Sequence, residues 1–211
     1  MPAKANALNI SRHFTESGKD PFDKLSWSKR DVEIRNFDGS VAFSMKDVNL
    51  PDNYSQVAAN VLAQKYLRKA GIPKKLRKVK EKAVPSWLQR SVPDLKSMEN
   101  LSEGEKFGEE IDGKQTFRRL AGTWTYWGWK HGYFASEEDA KAYFDEMCYM
   151  LAFQMVSPNS PQWFNTGLNW AYGIEGPAQG HYFVNPKTGD LERSVNAYEH
   201  PQPHACFIQS V

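Results

Sequence analysis

Two consecutive stretches between Gln115 and Val156 constrain this chain more than any other part of it. Phe117, Leu120, Ala121, Trp124, Trp127 and, more loosely, Gly128 recur at spacings of three and four and end near His131-Gly132. That is the period of an amphipathic helix. Ser136-Glu-Glu-Asp then opens a second such register, with a capping serine and with acids in the first turn, where the helix dipole favours them. Ala140, Tyr143, Phe144, Met147, Cys148, Leu151 and Met155 give this second helix, predicted to run to about Val156, a broad apolar face that needs a core to bury it. Of the 28 Phe, Trp and Tyr residues, 19 follow residue 110, so the large core is expected in the second half.

The remaining bounds are simple. The chain has 211 residues with 27 basic and 25 acidic side chains, a formal charge of +2, and is long enough for one sizeable domain or a domain with an appendage. Its two cysteines, Cys148 and Cys206, exclude a disulfide scaffold. No apolar run of about 18 residues suits a membrane helix, and the opening MPAKANALNISRHF lacks the apolar core of a secretory signal. A soluble cytoplasmic protein without a membrane partner is expected.

Residues 1–24 are polar and without sustained period, and read as a flexible arm. Val32 and Ile34, the turn residues Asn36-Phe-Asp-Gly-Ser40, and Val41, Phe43 and Met45 predict a β-hairpin with Gly39 at a positive φ. Asp52 or Asn53 is the expected N-cap of a helix from Tyr54 to Ala70, which Val57, Ala58, Val61, Leu62 and Leu67 would face inward and Gly71 and Pro73 would stop. Residues 65–80 hold eight basic side chains and no acid. Such a run can meet phosphate, or it can be a solvated connection offset by the acidic stretch from Glu99 to Asp112. Residues 85–114 read as a long surface connection anchored by Trp87 and Leu88. Beyond the helices, 181–184 and 191–195 predict a second hairpin, and 205–211 a strand.

Two constellations carry possible chemistry. In Ser157-Pro-Asn-Ser-Pro161 the residues before each proline are driven to extended backbone. Ser160-Pro161 then suits an N-cap and first helical position. Backbone N–H groups there, with the Asn159 amide and Ser160 hydroxyl, would suit a phosphate, or Ser160 is an ordinary cap. The second constellation is His200-Pro-Gln-Pro-His-Ala-Cys206. On a strand His204 and Cys206 share a face, but His13, His131 and His181 supply no matching pair for a four-ligand zinc site, so no metal is expected. An accessible redox thiol at Cys206 is the alternative. Cys148 reads as a small core hydrophobe, and the Trp124, Trp127, Trp129 stripe as core or as a base-stacking surface. No glycine-rich phosphate loop or dinucleotide fingerprint occurs.

Leu120 to Trp129, Ser157 to Gly167 and His200 to Val211, in that order, resemble the N-terminal portion of the vitamin B12-dependent (class II) ribonucleotide reductases. The likeness extends back through Glu33 to Gly39 and Val57 to Pro73 and covers nearly the whole chain beyond the arm. The resemblance implies an α+β fold: a mainly helical N-terminal region with a β-hairpin, leading into the first strand of a ten-stranded α/β barrel that is otherwise missing. Residues 25–114 would form the hairpin-helix unit with its connection, and 115–211 the helical region and start of the barrel. It implies an enzyme, a class II ribonucleoside-diphosphate reductase, with adenosylcobalamin as cofactor, a thiyl radical on a cysteine at the barrel centre, and two further cysteines that become a disulfide. Cys206 matches the first of that pair, the Asn159-Ser160 segment matches the loop holding the substrate's phosphates and ribose, and Ala205 lies beside the sugar. Implied partners are the ribonucleotide, an external dithiol such as thioredoxin, the remaining C-terminal part of the enzyme and, when complete, a further copy in a homo-oligomer. Most cobalamin contacts, the radical cysteine and the second redox cysteine belong to sequence absent here, so the isolated chain is expected to be inactive. The rival is a nucleic-acid-binding module using residues 65–80.

Overall fold

The computed structural model describes residues 7–178, 180–185 and 188–200. It is an α+β structure with four two-stranded antiparallel sheets around two long helices. β1 (Trp27–Arg35) and β2 (Val41–Pro51) form the first hairpin, registered from Trp27 opposite Pro51 to Arg35 opposite Val41, with irregularities after Arg30 and Ile34. Its tip is the expected turn: Asn36 N–H donates to Ser40 O, Gly39 N–H donates to Asn36 O, and Gly39 has φ +84°. Val32, Met45, Val48 and Leu50 form the buried face.

α1 (Gln56–Val61) follows, capped by Ser55, whose side chain accepts from Ala58 N–H. The cap is therefore neither Asp52 nor Asn53. Tyr54 N–H closes a turn onto Pro51 O and the Tyr54 ring enters the core, so the helix begins only after it. The helix is also shorter than predicted. From Leu62 to Tyr66 it widens into a π turn and then ends at extended Leu67. Its inward face is Ala59, Leu62, Ala63 and Leu67, whereas Val57 and Val61 are exposed.

The segment from 72 to 108 is more ordered than a surface connection. β3 (Ile72–Pro73) reaches forward to pair with β6 (Phe107–Gly108), and β4 (Leu76–Lys78) pairs with β5 (Ser91–Pro93). A 3₁₀ turn (Lys96–Met98) and the short α2 (Glu103–Lys106), closed by a capping box of Ser102 and Glu105, lie between β5 and β6. Leu88 and Met98 are fully buried anchors.

α3 (Gly113–Lys130) and α4 (Glu137–Ala152) are the predicted long helices. Asp112 and Gln115 form a capping box on α3, and Gly132, at φ +70°, follows its end. Ser136 caps α4 by accepting from Asp139 N–H at 3.1 Å. α4 ends four residues before Val156, with Gln154 at φ +59° turning the chain and Met155 exposed. Phe117, Leu120 and Ala121 of α3 pack with Cys148, Leu151 and Ala152 of α4 and with the hairpin's Val32, Val48 and Leu50 in one core. α5 (Ser160–Asn165) and α6 (Leu168–Tyr172) are joined through Gly167 at φ +89°. β7 (Tyr182–Val184) and β8 (Leu191–Arg193) form the second predicted hairpin.

The described part of the arm, residues 7–24, is docked rather than loose. Ile10 N–H donates to Asp139 Oδ1 at 2.7 Å and Arg12 pairs with Asp145 at 2.8 Å. Phe14 and Thr15 N–H and the Thr15 hydroxyl all donate to the Glu146 carboxylate, and Phe22 is buried in the core. Polar composition suggested freedom, but here polar groups are the attachment. No helix among the described residues is long and apolar enough to cross a membrane.

Candidate functional site

The segment Ser157 to Gly167 is positioned by a charge pair that lies wholly inside the protein. Arg119 projects from α3 and Glu110 from the loop between β6 and α3, and both side chains are excluded from solvent. Glu110 Oε1 accepts from Arg119 Nε at 2.8 Å and from the Tyr172 hydroxyl at 2.7 Å, and its Oε2 accepts from Thr116 Oγ1 and Arg68 N–H. A buried pair is tolerable only when its remaining hydrogen-bonding capacity is used, and here the guanidinium spends it on helix ends. Arg119 donates to Tyr66 O, the last residue of the π turn, and to Trp163 O and Thr166 O at the end of α5. One cation thus closes the carbonyl ends of two helices, where the dipole favours positive charge. This also explains the early stop at Leu67, since Arg68 N–H is taken by Glu110 instead of a helical carbonyl.

Electrostatically the hub is self-consistent. Burial alone would raise the Glu110 carboxyl, but the Arg119 charge and the hydrogen bonds outweigh it and hold it below the ordinary carboxylate range. Burial, together with the Glu110 charge, pushes the Tyr172 hydroxyl well above its usual value. Gly167 is required beside the pair, because a Cβ there would stand 2.3 Å from Arg119 O.

The opening of α5 is where the structure departs in detail from the sequence expectation. The N-cap is Asn159, in extended conformation, and Ser160 is the first helical residue with Pro161 after it. Ser160 is therefore not the cap; its hydroxyl meets the Tyr66 hydroxyl at 3.2 Å. Tyr66 stacks on Trp163 with ring centroids 5.0 Å apart, and Trp163 Nε1 donates to Pro158 O. Both Asn159 and Ser160 are exposed. The result is a rigid base under two exposed polar side chains. Tyr66 was not singled out in the sequence, where it is one aromatic within a basic run; its contact spans 94 residues.

The other expected residues lie elsewhere. Ala205 and Cys206, with His204, fall outside the described residues. His200 is described: its ring stacks on Phe183 at 4.0 Å, its carbonyl meets His181 Nε2 at 2.9 Å, and burial lowers its pKa. Cys148 is fully buried, and burial raises its thiol well above the ordinary range, which suits packing and not nucleophilic chemistry. In the basic run, Lys78 donates to Gln89 O and lies over the Trp170 ring, and Lys69 donates to Ala63 O and lies over Phe43. Trp124 donates to Gln162 and Trp129 to Ala83 O, so the Trp stripe is used internally at both ends. Trp127 lines a cleft of about 600 Å³ between the end of α3 and the β7–β8 hairpin. No group of three or more His, Cys, Asp or Glu able to hold a metal occurs among the described residues.

The sequence matches a family model described as class II vitamin B12-dependent ribonucleotide reductase over residues 28–154. It is 59% identical over 204 residues to a vitamin B12-dependent ribonucleotide reductase of Agrobacterium fabrum and 58% identical over the same length to one of Bradyrhizobium diazoefficiens. A third, from Rhodopirellula baltica, is 29% identical over 201 residues. These alignments cover 97%, 97% and 95% of this chain but only 16% of each relative. With the N-terminal portion of the relatives matched almost end to end, the chain belongs to the class II vitamin B12-dependent ribonucleotide reductase family.

Proposed function

We propose that this chain is the N-terminal part of an adenosylcobalamin-dependent enzyme that reduces ribonucleotides to 2′-deoxyribonucleotides, with Asn159 and Ser160 holding the substrate's phosphates and ribose. The observation that carries this is the 59% identity over 97% of the chain to a reductase of that name. The hub supports it physically, because Arg119, paired with Glu110 inside the protein, ties to α3 the carbonyl end of α5, the helix that Asn159 caps and Ser160 opens. Substrate-positioning side chains benefit from that rigidity.

In this proposal Cys206 is one of two thiols that supply the electrons. Replacement of the ribose 2′-hydroxyl by hydrogen takes two electrons and two protons from the pair, forms their disulfide and releases water. The second thiol comes from the longer polypeptide, and an external dithiol such as thioredoxin restores both. Ala205 lies beside the sugar. Adenosylcobalamin, when bound to the complete enzyme, supplies the radical chemistry. In this reading most of the cobalamin contacts lie in the rest of the longer polypeptide. We therefore assign no residue of this chain to the cofactor. The alternative of a nucleic-acid module on residues 65–80 has less support, since Lys69, Lys78 and Trp129 all turn back onto the protein.

The test is a chimera in which this chain replaces the matching N-terminal segment of the Agrobacterium fabrum reductase. Deoxynucleotide formation with adenosylcobalamin and a dithiol is expected, and Cys206→Ser in the chimera is expected to abolish it. Turnover by the isolated 211-residue chain, or undiminished turnover by the Cys206→Ser chimera, would refute the proposal.

A further inference from the structure

The helix that follows the first hairpin ends in an unusual way. Leu62 to Tyr66 widen into a π turn, in which Leu67 N–H reaches back to Leu62 O at 3.0 Å. Single widened turns of this kind are rare and are frequently found at functional sites. Here the turn delivers Tyr66 to the opening of α5, where its hydroxyl lies 3.2 Å from the Ser160 hydroxyl across 94 residues of chain.

Tyr66 is held there through both its ring and its backbone. The half-buried ring stacks on Trp163, with centroids 5.0 Å apart and planes 16° from parallel. The Tyr66 carbonyl accepts from Arg119 Nη2 at 3.0 Å, and the same nitrogen donates to Trp163 O at 2.8 Å. One atom of the buried guanidinium therefore sets the spacing of the two residues whose rings stack. Trp163 is fixed in turn, buried in the core with its ring edge to face with Phe117 and with Nε1 donating to Pro158 O at 3.0 Å.

The helix itself does not need the contact between the hydroxyls. Asn159 is the N-cap of α5, so neither Tyr66 nor Ser160 is spent on capping. A serine hydroxyl has one hydrogen and two acceptor sites. An ionised phosphate oxygen only accepts, so a Ser160 hydroxyl that binds one gives it that hydrogen and can meet Tyr66 only as an acceptor. The Tyr66 hydroxyl is then the donor. We propose that Tyr66 is a positioning residue for the ribonucleotide: its hydroxyl donates to Ser160 Oγ and directs the Ser160 hydrogen toward a phosphate oxygen of the substrate. This rests on the functional reading above, in which Asn159 and Ser160 hold the substrate's phosphates and ribose. A phosphate contact lies away from the ribose carbon that reacts. It strengthens binding of ground and transition states alike, and its loss appears in KM more than in kcat.

The chimera with the Agrobacterium fabrum reductase tests this, with CDP as substrate. Tyr66→Phe keeps the stacked ring and removes only the hydroxyl. It is expected to raise KM for CDP about three- to tenfold, to lower kcat by a smaller factor, and to shift the melting of the isolated chain by no more than about 2 °C. Ser160→Ala should raise KM at least as much, and the double variant no further than Ser160→Ala alone, because both changes interrupt one relay. Calorimetric binding of CDP to the same chimeras should follow the order of KM. Unchanged KM and affinity in Tyr66→Phe beside a weakened Ser160→Ala would overturn the inference alone, as would single effects that multiply in the double variant, or lower melting with KM unmoved. If the chimera binds CDP without reducing it, a loss of affinity in Tyr66→Phe upholds the inference and sinks the reductase reading. Reduction of CDP that is indifferent to Ser160→Ala sinks the role of Ser160, and this inference with it, while the reductase reading stands. A chimera that neither binds nor reduces CDP sinks both.

Discussion

The region around Arg119 and the β7–β8 hairpin lie in one chain, yet they solve opposite problems. Around Arg119, charged and polar groups are completely enclosed, and each finds a partner: Glu110, Tyr172, Thr116 and three helix-end carbonyls. In the hairpin, apolar side chains such as Leu191 and Val195 stand in water at 67% and 84% exposure. Residue type therefore does not decide burial here. What decides it is whether neighbouring elements can complete the hydrogen bonds of one region and cover the carbon of the other. The first is complete among the described residues, and the second leaves its carbon exposed.

That contrast can be tested by substitutions in order of expected effect. Arg119→Met should destabilise the chain by about 3–5 kcal/mol, since it leaves Glu110 buried without its cation. Adding Glu110→Leu should recover only part of this, because Tyr66, Trp163 and Thr166 carbonyls still lack a donor. Denaturant unfolding of the two variants measures both, and full recovery would show that the helix-end bonds contribute nothing. Leu120→Ala, in the fully buried face of α3, should cost about 2–5 kcal/mol.

The arm comes next. Glu146→Gln weakens three hydrogen bonds from Phe14 and Thr15 that end on a charge, a change of about 1.5–3 kcal/mol. Exchange at the amides of residues 10–15 should rise with it. Burial would raise the Glu146 carboxyl, but the bonds from Thr15 and Phe14 hold it below the ordinary range, as Arg119 holds Glu110. Each group is thus more acidic folded than unfolded. Its contribution is complete above the unfolded carboxylate value of about 4.3 and is lost as the pH falls through the folded value. An acid titration should release the arm in that window, and in Glu146→Gln the arm's exchange should lose most of this pH dependence. Gly167→Ala, which forces a Cβ against Arg119 O at φ +89°, should cost about 1–3 kcal/mol. Leu191→Ala should change the stability of the isolated chain by no more than about 0.5 kcal/mol. A larger loss would mean that the hairpin is already packed within this chain.

Much of the local structure is legible in the residues. The period of α3 and α4, the Ser136 cap, the Asn36 to Ser40 turn and the second hairpin all depend on contacts within a few positions, and sequence patterns report such contacts directly. The misjudged places share a different cause. The arm, the short helix after the first hairpin and the 72–108 segment are each shaped by groups far away in sequence. Ile72 pairs with Gly108, Arg12 with Asp145, and Tyr66 O with Arg119. At the candidate site the Asn159-Ser160 turn was visible from its prolines, but the identity of the cap was not, because Ser160 is drawn to Tyr66. Nothing local in Glu110 or Arg119 marks them as buried, since either is ordinarily a solvated charge.

By itself, then, the sequence determined the two long helices, the first and last hairpins, the apolar faces of α3 and α4, and, through its motifs, the family. Only the tertiary structure decided which polar groups would be enclosed and what would end each helix. The physical reason is that periodicity depends on backbone geometry, which is the same wherever the element sits. The balance between desolvating a charge and pairing it depends on partners that chain folding alone brings within 3 Å.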